Sequence, residues 1–519
     1  MADYLTSHAS AFADRLAVID DRPDQDPVVW TFGELNRQAN RLAHVLLDLG
    51  VVHGTKVVTV GQNSAGWLRM VHAARKVGAT AVPLNYRLAA DEASYVIDNC
   101  DAEVVYVDAE FAAFIDSMRA DIPKVRHVLV FDGEPVCDQL DGDALLRQAS
   151  VHEPIVPNAE QAAATMIYTS GTTGKPKGAL RQTAARPEQS AGLLQVLKWS
   201  PTDVYITTGP LYHSGPGGFA STAATLGNTV VVQHKFDTTD WLRLVDKYKV
   251  TATFSAPTPI RMICNVDPEL WTQFDVSTMR VMMANAAPWS MALKEQYLAH
   301  FPAESLFEIY GSTELGVNCV LEPHDQLRKP GSCGQPAPFV EIVLFDDEGM
   351  VVDGIGPEHP GELYVRSSAT FTTYYKADEK YEADRRGDFH TVGDIAYRDD
   401  EGYIYICDRK KDMIISGGVN IYPAEIEAAL ELHPRVFDVA VFGIPDENWG
   451  EAVHAIIVAK PLGSITAEDV MSYAREHLAG YKVPRSISFL DELPRTGSGK
   501  ILKRELRAPF WVGQSRMVG

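Results

Sequence analysis

Hydrophobic positions along the first four hundred residues follow two alternating periods. In TFGELNRQANRLAHVLLDLG, Leu35, Ala39, Leu42, Leu46 and Leu49 recur at helical spacing, and Thr31 and Glu34 stand at the interval of a capping box. TKVVTV, which follows, has the density of β-branched residues of a strand. The helix-like DEASYVIDNC and the strand-like AEVVYVD then repeat the alternation. Such a pattern predicts α/β layers.

After about residue 405 the units shorten, still within ordinary domain sizes. A helix is expected from Pro423 through EIEAALEL, with Pro at its first position and acids in its first turn. Strands are expected at FDVAVFG and AVHAIIVAK, a helix from Thr466, and a strand at SISFL. These read as a separate α+β unit. We therefore expect an α/β protein with a large N-terminal domain over 1–408 and a small C-terminal domain over 409–519, joined near the charged run DRKKD.

Composition narrows the function classes. The chain has 519 residues, more than one ordinary core accommodates. A hydrophobic content of 46% with 22% charged residues excludes a disordered chain. The net charge of -22 argues against general nucleic-acid binding, which relies on Lys and Arg neutralising phosphates. Cys100, Cys137, Cys264, Cys319, Cys333 and Cys407 lie far apart with no CxxC pair, so neither a disulfide framework nor a zinc site is expected, and a reducing cytoplasm fits. No apolar run reaches the ~18 residues of a membrane span, and the first residues lack the pattern of a secretory signal.

Two glycine-rich basic segments carry the candidate chemistry. YTSGTTGKPKG offers the hydroxyls of Thr169, Ser170, Thr172 and Thr173, the charges of Lys175 and Lys177, and Gly171, Gly174 and Gly178 where backbone can approach a ligand. It fails the Walker A spacing, because Pro176 follows Lys175. PRTGSGK, from Pro494 to Lys500, fails as well, with Pro494 in place of the first Gly and Ile501 in place of Ser or Thr. Taken singly, either segment is compatible with a polar surface turn.

Together with PLYHSGP, YGSTE, TVGD and DRKKDMIISGG, these segments occur in the order found in the adenylate-forming superfamily, and the chain most resembles its fatty-acid and aryl-acid CoA ligase branch. The resemblance covers nearly the whole length. It implies a reaction in which a carboxylate attacks the α-phosphorus of ATP, pyrophosphate leaves, and the acyl group passes from AMP to the thiol of coenzyme A. Two anions meet in the first step, so charge neutralisation and alignment matter more than a general base.

By that resemblance the loop from Thr169 to Lys177 grips the β- and γ-phosphates, and Glu314 holds Mg²⁺. Tyr310 stacks on adenine beside Gly311, Thr313 contacts the α-phosphate, and Asp394 and Arg409 hold the ribose and phosphate. Lys500 is the transferred catalytic lysine. Tyr212, His213, Ala284, Asn285 and Ala286 line the acyl pocket, His213 having a positional role at most. The small domain turns about Lys411 and brings Ser416, Gly417 and Gly418 to the site for the thiol step. Asn285 stands where Gly is common, and three effects stay open: a shorter acid tunnel, an amide that binds a polar substrate group, or repair of local backbone bonding. The expected partners are a carboxylic acid, ATP, Mg²⁺ and CoA. No nucleic acid and no transmembrane segment are expected, and homodimer formation stays open. A carrier-protein-loading enzyme and a non-catalytic nucleotide-binding regulator are the alternative readings.

Overall fold

The structure is a computed structural model that describes the chain apart from residues 1–2, 24, 157–162, 170–174, 183–184, 286–288, 418, 461–464, 496–500 and 513–519. It is α/β, with a large N-terminal domain and a smaller C-terminal one.

A nine-stranded sheet has a parallel centre formed by Leu16–Asp20, Thr229–Val232, Val204–Thr207, Ala252–Ser255, Val281–Ala284 and Leu306–Ser312. An eight-stranded sheet has a parallel centre around Lys56–Val60 and Ala102–Asp108, and toward one edge carries the antiparallel pair Ala164–Thr169 and Lys177–Arg181, with Thr373–Tyr374 outermost. Central strands covered on both faces explain the continuous Val-rich runs. A third sheet of six strands includes Asp394–Arg398 and Ile404–Arg409, and a fourth, of five, begins with Ile414–Ser416. Sheet membership thus changes between Arg409 and Ile414. Asp408 ties the two sides: its carboxylate accepts from the Ala424 N–H at 3.0 Å, in the first turn of the helix Pro423–Glu431.

The predicted elements form. The first amphipathic pattern is the helix Phe32–Asp48, whose cap Thr31 accepts from the Glu34 N–H at 3.2 Å. Only half of the capping box closes, because the Glu34 carboxylate turns to Arg37 and Gln38 instead. In the C-terminal part, Pro423–Glu431, Val436–Asp446, Gly450–Ala459, Ala467–His477 and Ser486–Phe489 match the expected order. There Thr466 and Asp469 form a complete box. Among the described residues, no helix is long and apolar enough to cross a membrane. All six cysteines are free.

Candidate active site

Three sheets meet at Thr169, Tyr310, Glu314, Asp394 and Arg409. The strand Ala164–Thr169 leads into the glycine-rich segment, and Lys177–Arg181 leads out, with Thr169 opposite Lys177. Leu306–Ser312 carries Tyr310 and Gly311 to the same place from the nine-stranded sheet. From the third sheet come Asp394 and Arg409, directly opposite each other.

Asp394 is gripped from two sides. The Tyr310 hydroxyl donates to Oδ2 at 2.5 Å, and the Arg409 guanidinium contacts Oδ1 at 3.1 Å. Burial, then the Asp394 charge, pushes the Tyr310 hydroxyl far up, so it remains a donor. Arg409 is held more firmly charged, chiefly by Asp394. Beneath this pair Gly311 runs so close to the next strand that an added Cβ would sit 2.1 Å from the Gly316 carbonyl oxygen. Bare backbone is needed there.

Glu314 is buried, and its Oε1 accepts from the hydroxyls of Thr169 at 3.2 Å and Tyr374 at 3.0 Å. One oxygen of the carboxylate is thereby anchored. No group of three or more His, Cys, Asp or Glu that could hold a metal occurs among the described residues. A single fixed carboxylate fits Mg²⁺ that arrives with nucleotide phosphates supplying other oxygens.

Arg181 braces the same loop, donating to the Thr313 carbonyl at 3.0 Å and to the Ala369 carbonyl. Burial holds its guanidinium below the usual range while Glu314 acts in the opposite sense. The Thr313 hydroxyl donates to Ser214 Oγ at 2.7 Å, at the first residue of the helix Ser214–Leu226. The N-terminus of that helix thus faces Thr313, where its partial positive charge favours an anion. His213 is the N-cap of this helix, its ring accepting from the Gly215 N–H. Tyr212, one residue earlier, is buried against Tyr86, their rings meeting edge to face at 5.6 Å.

Lys175 lies over the Tyr95 ring at 4.5 Å, and Lys177 over Tyr374 at 5.9 Å. Burial, then Lys380, lowers the Lys177 ammonium from its usual range. Ala284 ends its strand, and Asn285 follows with its side-chain amide donating to the Ile309 carbonyl at 2.8 Å. The amide extends the strand pairing one step beyond Ala284 and Glu308. Ser170, Gly171, Thr172, Thr173, Gly174, Ala286, Gly418 and Lys500 lie outside the described residues.

Lys411 follows the strand Ile404–Arg409, and burial lowers its ammonium from the usual range. Ser416 and Gly417 sit farther along, and the Gly417 N–H donates to the Trp449 carbonyl at 2.8 Å. Gly417 has φ +59°, and a Cβ there would lie 2.6 Å from the Trp449 ring. That ring is 46% exposed, with the Arg485 guanidinium over it at 5.1 Å.

Sequence reasoning passed over Tyr374, Arg181 and Ser214, which contact Glu314 and Thr313, and Trp449, which lies beside Gly417. The last had a local signal, an aromatic flanked by acids and glycine in PDENWGE. Contacts more than fifty residues apart place the others.

The AMP-binding enzyme family matches residues 5–375, and the AMP-binding enzyme C-terminal domain matches 425–500. The chain is 33% identical over 510 residues to an indoleacetate–CoA ligase of Aromatoleum aromaticum, covering 98% of this chain and 97% of that enzyme. It is 33% identical over 501 residues to the fatty acid–[acyl-carrier-protein] ligase ScoC of Streptomyces coeruleorubidus, covering 94% and 93%. The anthranilate CoA ligase AuaEII, solved with anthranoyl-AMP, superposes with a TM-score of 0.87 at 26% identity, covering 98% of this chain and 96% of that one.

Proposed function

Since the chain belongs to the AMP-binding enzyme family, we propose that it is an AMP-forming ligase that joins a carboxylic acid to coenzyme A by way of an acyl-adenylate. The observation that carries this reading is the Tyr310–Asp394–Arg409 constellation beside the anchored Glu314, reached by the glycine-rich segment. Enzymes of this kind take ATP, Mg²⁺ and CoA.

In the first half-reaction a carboxylate oxygen attacks the α-phosphorus and the bond to pyrophosphate breaks. The acid is already ionised, so no base is required. Tyr310 offers its ring to adenine, while Asp394 orients the ribose and Arg409 adds positive charge near the phosphate. Arg181 and Ser214 fix the loop that presents Thr313 to the α-phosphate. Thr169 and Lys175, with the rest of the glycine-rich segment, hold the departing phosphates, and Lys500 offsets charge developing between the two anions. Glu314 would hold Mg²⁺, which supplies charge neutralisation on the phosphate oxygens when bound.

In the second half-reaction the CoA sulfur bonds to the acyl carbon, the bond from that carbon to AMP breaks, and the thiol proton is released. The 409–519 domain turns about Lys411 between the steps. Trp449, exposed beside Gly417 with Arg485 across its face, offers a stacking and charge surface for the CoA nucleotide.

Similarity to a carrier-protein ligase supports a second reading, in which the acceptor thiol belongs to a carrier protein. Mass spectrometry after incubation with ATP, Mg²⁺, CoA and a panel of fatty, aryl and polycyclic acids decides. Acyl-CoA together with AMP is the expected result. Acyl-AMP without thioester would favour the carrier reading, and the absence of acid-dependent ATP cleavage would contradict both.

A further inference from the structure

The apolar core that gathers Leu211, Tyr212, Phe254, Ile309 and Val320 abuts the strand Gly316–Leu321. That strand pairs with Leu306–Ser312 through an irregularity: Tyr310 opposes Cys319, but Gly311 opposes Val317. Asn318 is therefore the extra residue of a β-bulge, a device that re-aims a side chain. Its flanks separate two environments. Val317 and Val320 pack on the core that holds Tyr212, whereas Cys319 and Tyr310 belong to another core on the opposite face.

Asn318 is 1% exposed, and neither the nitrogen nor the oxygen of its side-chain amide has a hydrogen-bond partner. Its main-chain carbonyl is satisfied, accepting from the Ala337 N–H at 2.8 Å. The great majority of buried polar side chains find a partner, and an orphaned amide bears its full desolvation penalty. Asn285, two strands away, shows the ordinary solution, with its amide on the Ile309 carbonyl. The Tyr212 hydroxyl, on the same core as Val317 and Val320, is also buried without a partner. Unpaired polar groups among aromatic and aliphatic walls are the make-up of a small-molecule pocket.

The geometry points to Asn318 as a specificity-determining residue, and to a substrate acid that carries a hydrogen-bonding group, such as a hydroxyl, carbonyl or ring N–H, in its otherwise apolar part. This inference rests on the ligase reading above. An entering polar group completes the bonding of the amide. A plain hydrocarbon chain would bury the amide unpaired in the complex, and sites built to bond a polar group discriminate strongly against analogues that lack it.

The test uses the full chain as wild type, Asn318→Leu and Asn318→Ser. Acids are offered in pairs that differ in one polar group: octanoic acid against hydroxyoctanoic acids substituted at successive carbons, and 3-phenylpropanoic against 3-(4-hydroxyphenyl)propanoic acid. The readouts are kcat/KM for thioester formation, KM for ATP, and the melting temperature without ligand. Wild type is expected to prefer the polar member of at least one pair by about 10- to 100-fold. Asn318→Leu is expected to abolish that preference, keep KM for ATP, and raise the melting temperature because the orphaned amide is gone. Asn318→Ser is expected to keep part of the preference. Identical preferences in wild type and both variants would overturn the inference while leaving the ligase reading intact, as would a lowered melting temperature with KM rising equally for acid and ATP. Thioester from no acid at all would overturn the ligase reading and this inference with it.

Discussion

The proposed nucleotide side and acid side of the site differ in how much of their bonding is complete before a substrate arrives. On the nucleotide side Asp394 already holds Tyr310 and Arg409, Glu314 holds Thr169 and Tyr374, and Arg181 and Ser214 fasten the loop between them. On the acid side Asn318 and Tyr212 carry polar atoms with no partner. A frame built in advance suits a co-substrate that never changes, because its dipoles need no rearrangement when charge develops. An incomplete pocket suits selection, since only the right ligand removes the penalty of its unpaired groups. The two sides adjoin: Asn285 and Ile309, one residue before Tyr310, join the pocket strand to the nucleotide strand.

The largest expected effect belongs to the lysine proposed for the first half-reaction. Lys500→Ala should slow adenylate formation by on the order of 10²- to 10³-fold. Thioester formation from supplied acyl-AMP should be spared, and pyrophosphate release against single-turnover thiolysis separates the steps. Equal losses in both would remove Lys500 from the first step.

Asp394→Asn should act on the nucleotide side alone. Losing the charge opposite Arg409 is expected to raise KM for ATP by about 10- to 100-fold and leave KM for the acid unchanged. A matching rise for the acid would dissolve the division between the sides. A smaller change belongs to neither: Trp449→Ala is expected to raise KM for CoA by up to about tenfold while adenylation proceeds normally. Steady-state kinetics with CoA varied would show it, and an unchanged KM would remove Trp449 from the thiol step.

The smallest effect concerns how the C-terminal part rests on the large one. Burial pushes Glu431, at the end of the helix Pro423–Glu431, up to about 7, with Arg261 of the large part opposing the shift. Arg261 also lies over the Phe437 ring at 5.9 Å. Because the folded chain binds this proton more tightly than the unfolded chain does, stability falls as pH rises from about 4.5 toward about 7. Glu431→Gln should therefore raise the melting temperature by a few degrees at pH 8 and scarcely at pH 4.5. Equal shifts at both values would contradict the assignment.

Much of the fold was legible because its signals are local. Leu35, Ala39, Leu42 and Leu46 are buried as their spacing predicts, and Thr31 caps the helix. The motifs also singled out Thr169, Tyr310, Glu314, Asp394 and Arg409, which the fold brings together. What stayed hidden depends on contacts between distant segments. Glu34 found Arg37 and Gln38 instead of the backbone, and nothing in TTYYKADE marks Tyr374 as the partner of Glu314. The Ile309 carbonyl that Asn285 bonds lies on another strand, so ANAAP alone gave no sign of it. Asn318 drew no notice because a bulge is a property of two paired strands, and GVNCVL alone reads as an ordinary one.

The central claim, that the acid is activated through AMP, is tested most directly by following oxygen. An acid labelled with ¹⁸O in both carboxylate positions is turned over with ATP, Mg²⁺ and CoA, and the products are weighed. Attack of the carboxylate on the α-phosphorus predicts one label in AMP and one in the thioester. Label in inorganic phosphate, with unlabelled ADP in place of AMP, would contradict the account.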